Sequence, residues 1–392
     1  MKKLTAIVLA LALLCGVATA LANSKNYELP QEGDGLTLLM DEKDRNIQLN
    51  GKQKDGNFPE NPIIDGESPT TGEAWTGRYQ PMMVQIGTET AEKDGSVPAG
   101  TGQRAPWGGH YADIVYEQPL YRYGPNRITF LFSNNMPDSA GPVRSARVGH
   151  IMLREEWGAG LVFVGGPEEK GNNIIQLLKE LGANKKGVIF NGRLSGKWKN
   201  ANYRRLDGTN GTPQVSAPNN VDINVAGIQA LIPEDNDTPN HVFLFTDESP
   251  YDGPLAYSIN IDWGHDWYQE HFYYDEMENQ YFRYVCDVPY MSFESGVNRD
   301  ESIPMSFSNL IIQRVEVNYA NNNELMPIVN NVSQGNADIF IGGRYIAGYW
   351  IRTATDQRTI FFDSEGNELQ LTRGKTFICM LDKIDPVTYS AD

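Results

Sequence analysis

The chain has 392 residues, 40% of them hydrophobic, and a formal net charge of −17. That composition is too apolar for a disordered tail, and the length allows two domains or one large one. The acidic balance repels polyanions and no Lys/Arg-rich run offsets it, which argues against binding to nucleic acid.

Lys2 and Lys3 precede an apolar run from Leu4 to about Ala20, with small residues at Ala18, Ala20 and Ala22. This is the layout of a secretory signal peptide over residues 1–22, and the small residues favour cleavage after Ala22 over an uncleaved anchor helix. Its removal takes two lysines and no acid from the formal charge of −17, leaving −19. Cys15 follows Leu13 and Leu14 instead of the small residue that a lipid-attachment site needs, so it is read as part of the apolar run. No later segment has the length and apolarity of a membrane span, so the mature chain is expected outside the cell or at the wall. Residues 23–59 are polar and acidic and read as a spacer.

From Tyr79 the runs "YQPMMVQIG", "ADIVYEQPLY" and "RITFLFS" read as strands, the last two joined in a hairpin by Tyr123-Gly124-Pro125-Asn126. "SARVGHIMLREEW" reads as a helix, "GLVFVGG" as a buried strand, "EEKGNNIIQLLKELG" as an amphipathic helix and "KGVIFNG" as a strand. Asn220 is the expected N-cap of a helix carrying Val221, Val225, Ile228 and Ile232. Residues 60–232 thus predict an α/β domain with a mixed sheet, and 233–240 a linker. Over 241–385 hairpin signals dominate and predict a mostly antiparallel β domain, before a tail at 386–392. The fold class expected is α+β. Cys286 and Cys379 remain after signal cleavage. Pairing them would contribute on the order of 4 kcal/mol, but so few cysteines do not make a disulfide framework, and two unpaired strand thiols are the preferred reading.

The search for catalytic chemistry is mostly negative. Gly374-Lys375-Thr376 lacks the P-loop's first glycine, since Leu369 stands there, and no serine-nucleophile elbow, metalloprotease, Cys-x-x-Cys or calcium-loop pattern occurs. His265 and His271 have no third ligand at a metal-like spacing, so neither a metal nor a cofactor is expected. Trp263 and Trp267 read first as sheet-stabilising aromatics and second as a sugar-stacking platform. Gly165-Gly166-Pro167 reads as a structural turn, with Glu168 and Glu169 in the first turn of the helix after it.

"AGPVRSARVGHIM" is different, because it sets two arginines three apart in an acidic chain. At helical spacing Arg144 and Arg147 share a face, while Asp113 and Glu117, four apart on a strand, share another. With Arg127 they form an expected polar cluster of guanidinium forks and carboxylates. Two readings stand open: an internal network pinning helix to sheet, or a site for an anionic or zwitterionic ligand.

The order of "YQPMMVQIG", "ADIVYE", "NRITFLF" and "GPVRSAR", then "YYDEMENQYFRY", "NLIIQRVEV" and "GGRYIAGYWIRTATDQRTIFFDSEGNELQLTRGKTFI", resembles the YerB-like lipoprotein family, a two-part domain of unknown function in Gram-positive bacteria. The resemblance spans roughly residues 60–385 and implies an exported, envelope-associated protein with no established activity. Trp350, Arg352 and Lys375 lie in its second-module motif. The family's Pro-His-Asn is here Pro218-Asn219-Asn220, and a Pro-His of the second module is Pro289-Tyr290. Both replacements remove an acid/base or metal candidate. The expectation is therefore a non-catalytic binding or assembly factor for a cell-wall polymer or envelope protein. The alternative from another class is a wall-polymer hydrolase or transferase using Asp113 and Glu117 beside the arginines.

Overall fold

The computed structural model describes residues 60–88, 105–122, 125–236, 238–239, 241–264, 268–286, 288–319 and 327–391. The signal-peptide and spacer segments, Cys15, Tyr123, Gly124, His265, Asp266 and Trp267 lie outside the described residues.

Runs rich in β-branched and aromatic residues become strands. In the first half these are β1 (Met82–Gly87), β2 (Ile114–Pro119), β3 (Asn126–Phe132), β4 (Gly160–Phe163) and β5 (Ile189–Asn191). Helix α1 spans Val148–Trp157, α2 Ile174–Glu180 and α3 Val225–Gln229. The second half supplies β6 (Ser258–Asp262), β7 (Gln269–Asp275), β8 (Gln280–Val285), β9 (Asn309–Asn318), β10 (Gln334–Ile341), β11 (Arg344–Ile351), β12 (Ile360–Asp363), β13 (Thr376–Asp382) and β14 (Val387–Ser390).

The largest sheet runs β12-β11-β10-β9-β13-β2-β3-β1-β4-β5. It crosses the sequence boundary expected at 233–240, because β13 of the second half pairs in parallel with β2 of the first, Ile114 opposite Thr376. A second, antiparallel sheet contains β8-β7-β6-β14. Residues 387–390, expected as tail, are its strand β14, whose Val387 is buried.

Alternation sends successive side chains to opposite faces of the main sheet. On one face Met83, Ile114, Leu131 and Leu161 share a core with Ile151, Leu153 and Trp157 of α1 and Ile174 and Leu178 of α2. On the other, Val115, Phe130 and Phe377 share a core with Ile259, Phe272 and Tyr281 of the second sheet. The molecule is thus mostly sheet, mixed and antiparallel, with its longest helix over the arginine-bearing end.

Two local expectations are corrected. Asn220 does not cap a helix: Val221–Ile223 is a strand paired with Tyr203–Arg205, and the cap is Asn224, whose Oδ1 accepts from Gly227 N at 2.7 Å. The strand wins because Val221 and Ile223 alternate into the core and Asp222 is held by Trp107 Nε1 and Ser139 Oγ, each at 2.6 Å. Glu168 and Glu169 pair with Asn173 and Asn172 in a small hairpin, so α2 begins at Ile174 with Asn173 as N-cap. Of the two readings of Cys286 and Cys379, the structure has the unpaired one: both are free, with Cys379 buried within β13.

Candidate functional site

The "GPVRSAR" stretch is an extended strap and only its end is helical. Val143 bridges to Ile86 of β1, Arg144 N donates to Gln85 O at 2.8 Å, and Val164 N donates back to Arg144 O at 2.9 Å. The strap therefore crosses the carboxyl ends of the parallel strands β1 and β4, where open α/β sheets commonly bind ligands. Gly141 is required there: a Cβ would lie 2.4 Å from the Trp107 ring. A Cβ on Gly87 would lie 2.8 Å from Arg144 Cγ, so its absence makes room for that arginine. Arg144 is upstream of the helix and Arg147 is its N-cap, so the helical i, i+3 pairing expected for them is replaced by strap and cap.

Helix α1 has no acid in its first turn, so nothing local complements the positive end of its dipole. Instead His150 Nδ1 accepts from Arg147 N at 2.8 Å. A neutral ring whose Nδ1 accepts carries its proton on Nε2, and that atom lies 2.7 Å from the Gln118 amide. The two amide ends have the same shape, and hydrogen bonding places the Gln118 carbonyl toward Nε2–H. The amide NH2 is then the end without a partner, because only one end is engaged. Burial first, then Arg127 and Arg147, hold the His150 pKa well below its ordinary range.

Arg127 lies on β3, opposite Gln118 of β2 and Gly87 of β1, and is 3% exposed. Its NH1 donates to Ile86 O at 3.3 Å, while its Nε has no partner. Arg147 donates from NH1 to Ala146 O at 2.9 Å, and its Nε is likewise buried without a partner. Among the described residues neither makes an ion pair. Burial, then Arg147 and Arg144, push the Arg127 pKa far down. Burial and Arg144 bring Arg147 down to about 10 against the pull of Tyr121. Arg144 donates to Asn219 Oδ1 at 2.7 Å.

The carboxylates expected beside these arginines are elsewhere. Glu117 faces the second sheet, accepting from Asn126 Nδ2 at 2.9 Å, Tyr268 Oη at 2.6 Å and Arg283 NH2 at 2.9 Å. Arg283 also contacts Glu270 at 2.5 Å, and all three side chains are fully buried. Asp113 precedes β2, and its Oδ2 accepts from Ser133 N at 2.6 Å, Asn134 N at 2.8 Å and Thr70 Oγ1 at 3.3 Å. Burial raises it to about 7 despite those donors. The expected cluster thus splits into three: an arginine group under α1, Glu117 between the sheets, and Asp113 on backbone N–H groups. Alternation accounts for this, since Arg127 emerges on the face of β3 that also bears Leu131, whereas Glu117 emerges on the opposite face with Val115.

Residues 97–210 match the N-terminal domain, and residues 259–378 the C-terminal domain, of a protein of unknown function (DUF3048). The chain belongs to this YerB-like family. The crystal structure of YerB protein from Bacillus subtilis is similar to it, with 20% identity, a TM-score of 0.61, and coverage of 82% of this chain and 99% of that one. At that identity the likeness shows the fold. No curated protein matches the chain.

Residues singled out in the second module of this YerB-like chain are structural ties. Trp350 Nε1 donates to Arg314 O at 2.8 Å. Arg352 pairs with Glu156 at 3.2 Å and donates to Met152 O at 2.6 Å, binding α1 to the end of β11. Glu156 also accepts from His241 at 2.8 Å, and His241 stacks on Trp157 with centroids 3.7 Å apart. Lys375 Nζ donates to the His110 carbonyl. Trp263 is buried and donates to Glu270 Oε2 at 3.0 Å, so it offers no open stacking face. Gln85, Gln118, His150 and Arg283 were not singled out in the sequence. Two left signals: His150 is three residues after the cap, and Arg283 stands in the inward register of "QYFRYV" with Tyr281 and Val285. Among the described residues no His, Cys, Asp or Glu cluster of three or more is arranged to hold a metal, and no helix is long and apolar enough to cross a membrane.

Proposed function

We propose that this protein is an exported, non-catalytic binding or assembly factor of the cell envelope, and that Arg127, Arg144 and Arg147 hold an anionic group of its ligand. One observation carries the binding role: Arg127 is buried beside two further arginines, with its Nε unpartnered. A buried charge without a partner is strongly unfavourable unless an anion completes the site. Arg144, Ser145 and Arg147, on the strap and at the N-cap, are only half-buried. The Lys2-Lys3 leader and apolar run support export. The hydrolase alternative finds no support here, since Asp113 and Glu117 face different partners and Glu117 is closed off by Arg283.

Thermal unfolding of the mature chain in phosphate, sulfate, citrate or acetate, against chloride at equal ionic strength, tests the site. At least one oxyanion should raise Tm saturably, as ligand linkage requires, and the double variant Arg144→Lys/Arg147→Lys should lose most of that rise. A flat response to every anion, or an undiminished rise in the variant, rejects the site. Cell fractionation with a mass measurement tests export, expected as an extracytoplasmic chain lacking residues 1–22.

A further inference from the structure

The face of the main sheet under the start of α1 carries more hydrogen-bond donors than it can use. Gln85 on β1 stands opposite Thr129 on β3, and Arg127, two positions along β3, stands between Gly87 and Gln118. All four polar side chains are buried. Thr129 Oγ1 donates to Gln85 Oε1 at 2.8 Å, which leaves the Gln85 NH2 without a partner. With the Gln118 amide oriented by His150, its NH2 is also unpartnered, and so are Arg127 Nε and, above it, Arg147 Nε. Every unmet group of this floor is therefore a donor. Buried polar groups in folded proteins are nearly always paired, so an excess of one kind identifies the kind missing. Water can accept from such donors but leaves the guanidinium charge uncompensated, whereas an oxyanion meets both needs.

Counting oxygens narrows the class. Guanidinium groups approach from three elements, namely β3, the strap and the N-cap of α1, and the helix end adds a partial positive charge. A carboxylate offers two oxygens in one plane and one negative charge, so one or two forks would use it up. An internal phosphodiester is no better, with two free oxygens and one charge. A terminal phosphoryl group offers three or more oxygens arranged tetrahedrally, with close to two negative charges at neutral pH. Burial grades from half-buried Arg144 and Arg147 to Arg127, which is 3% exposed.

We infer that this cluster takes a terminal phosphoryl group, as inorganic phosphate or the end of a phosphate monoester, in preference to a carboxylate or an internal phosphodiester. The inference presupposes the anion site proposed above and adds its chemical class.

Calorimetric titration of the full mature chain with inorganic phosphate, glycerol 3-phosphate, glycerophosphocholine, sulfate and acetate, at pH 7.5 and constant ionic strength, tests it. Phosphate or the monoester should bind roughly tenfold or more tightly than acetate or the diester, a step of one extra charge-assisted contact. A monoester much tighter than phosphate supports an esterified ligand, and equal affinities support free phosphate. Because the second pKa of a phosphate monoester is about 6, glycerol 3-phosphate affinity should fall from pH 7.5 to 5.5 beyond any change in sulfate affinity. Arg127→Met should abolish binding. If that variant does not fold, Arg147→Gln at the mouth should still weaken binding about tenfold or more. Acetate or the diester binding as tightly as phosphate overturns the phosphoryl assignment and leaves an anion site standing. No saturable binding of any anion to folded protein overturns both.

Discussion

Arg127 is a residue whose cost in the empty protein and value in the bound one should separate by mutation. Its guanidinium is buried with other arginines as its charged neighbours, so free energy is spent keeping it there. Arg127→Met keeps the apolar stem and removes the charge; replacing even a paired buried charge by apolar side chains is often neutral or stabilising by about 1–4 kcal/mol, and Arg127 has no counter-ion to lose. We expect urea unfolding in phosphate-free buffer to show the variant at least as stable as the parent, and thermal shift to show no response to anions. A loss of several kcal/mol in phosphate-free buffer would mean that Arg127 serves packing instead. At this scale the sequence was half legible. Arg127, Arg144 and Arg147 stand out as charges in an acidic chain, but their partners do not, because Asp113 and Glu117 share a spacing without sharing surroundings. Gln85 and Gln118 give no signal by residue type, and their role depends on lying beside Arg127 in register.

At the scale of elements, strand runs were legible because β-branched and aromatic clusters bounded by turn residues leave little choice. Helix starts were less so. The Val221–Ile223 segment fits helical spacing as well as alternation, and only pairing with Tyr203–Arg205 decides for a strand. Helix α1 is unusual in beginning with a cationic N-cap and no acid in its first turn. Val148, the first helical residue and half-buried, is therefore an informative place to add a carboxylate. Val148→Glu should stabilise the protein by about 0.3–1 kcal/mol through the dipole, and by more through Arg147. It should also weaken phosphate binding, since the new carboxylate competes for the same cations. Denaturant unfolding and calorimetry on one preparation would read both effects. Greater stability with unchanged phosphate affinity would place the ligand away from this helix end.

At the scale of the molecule, Glu117, Arg283 and Glu270 join the two sheets, and the sequence could not show this because the groups come from distant strands that meet only in the folded chain. Two buried carboxylates around one arginine leave a negative charge in excess. Glu270 answers it by keeping its proton: burial, outweighing the pull of Arg283, and neighbouring Glu117 raise its pKa to about 8. Below the ordinary value of 4.5 folded and unfolded chains both bind this proton, so the contribution to stability is fully present. Above it the unfolded chain releases the proton while the folded chain holds it, so stability falls as pH rises and the contribution is gone past about 8. Asp113 and Asp385, each raised to about 7 chiefly by burial, add to the fall. His110, His150 and His241, whose pKa values burial lowers, oppose it below their ordinary 6.5. Comparison with Glu270→Gln isolates one contribution, because the amide cannot ionise and can still donate to Glu117. The drop in unfolding free energy between pH 5 and 8 should be smaller in the variant than in the parent. Equal drops would mean that Glu270 is ionised throughout, and the two sheets would then be held across a net buried charge.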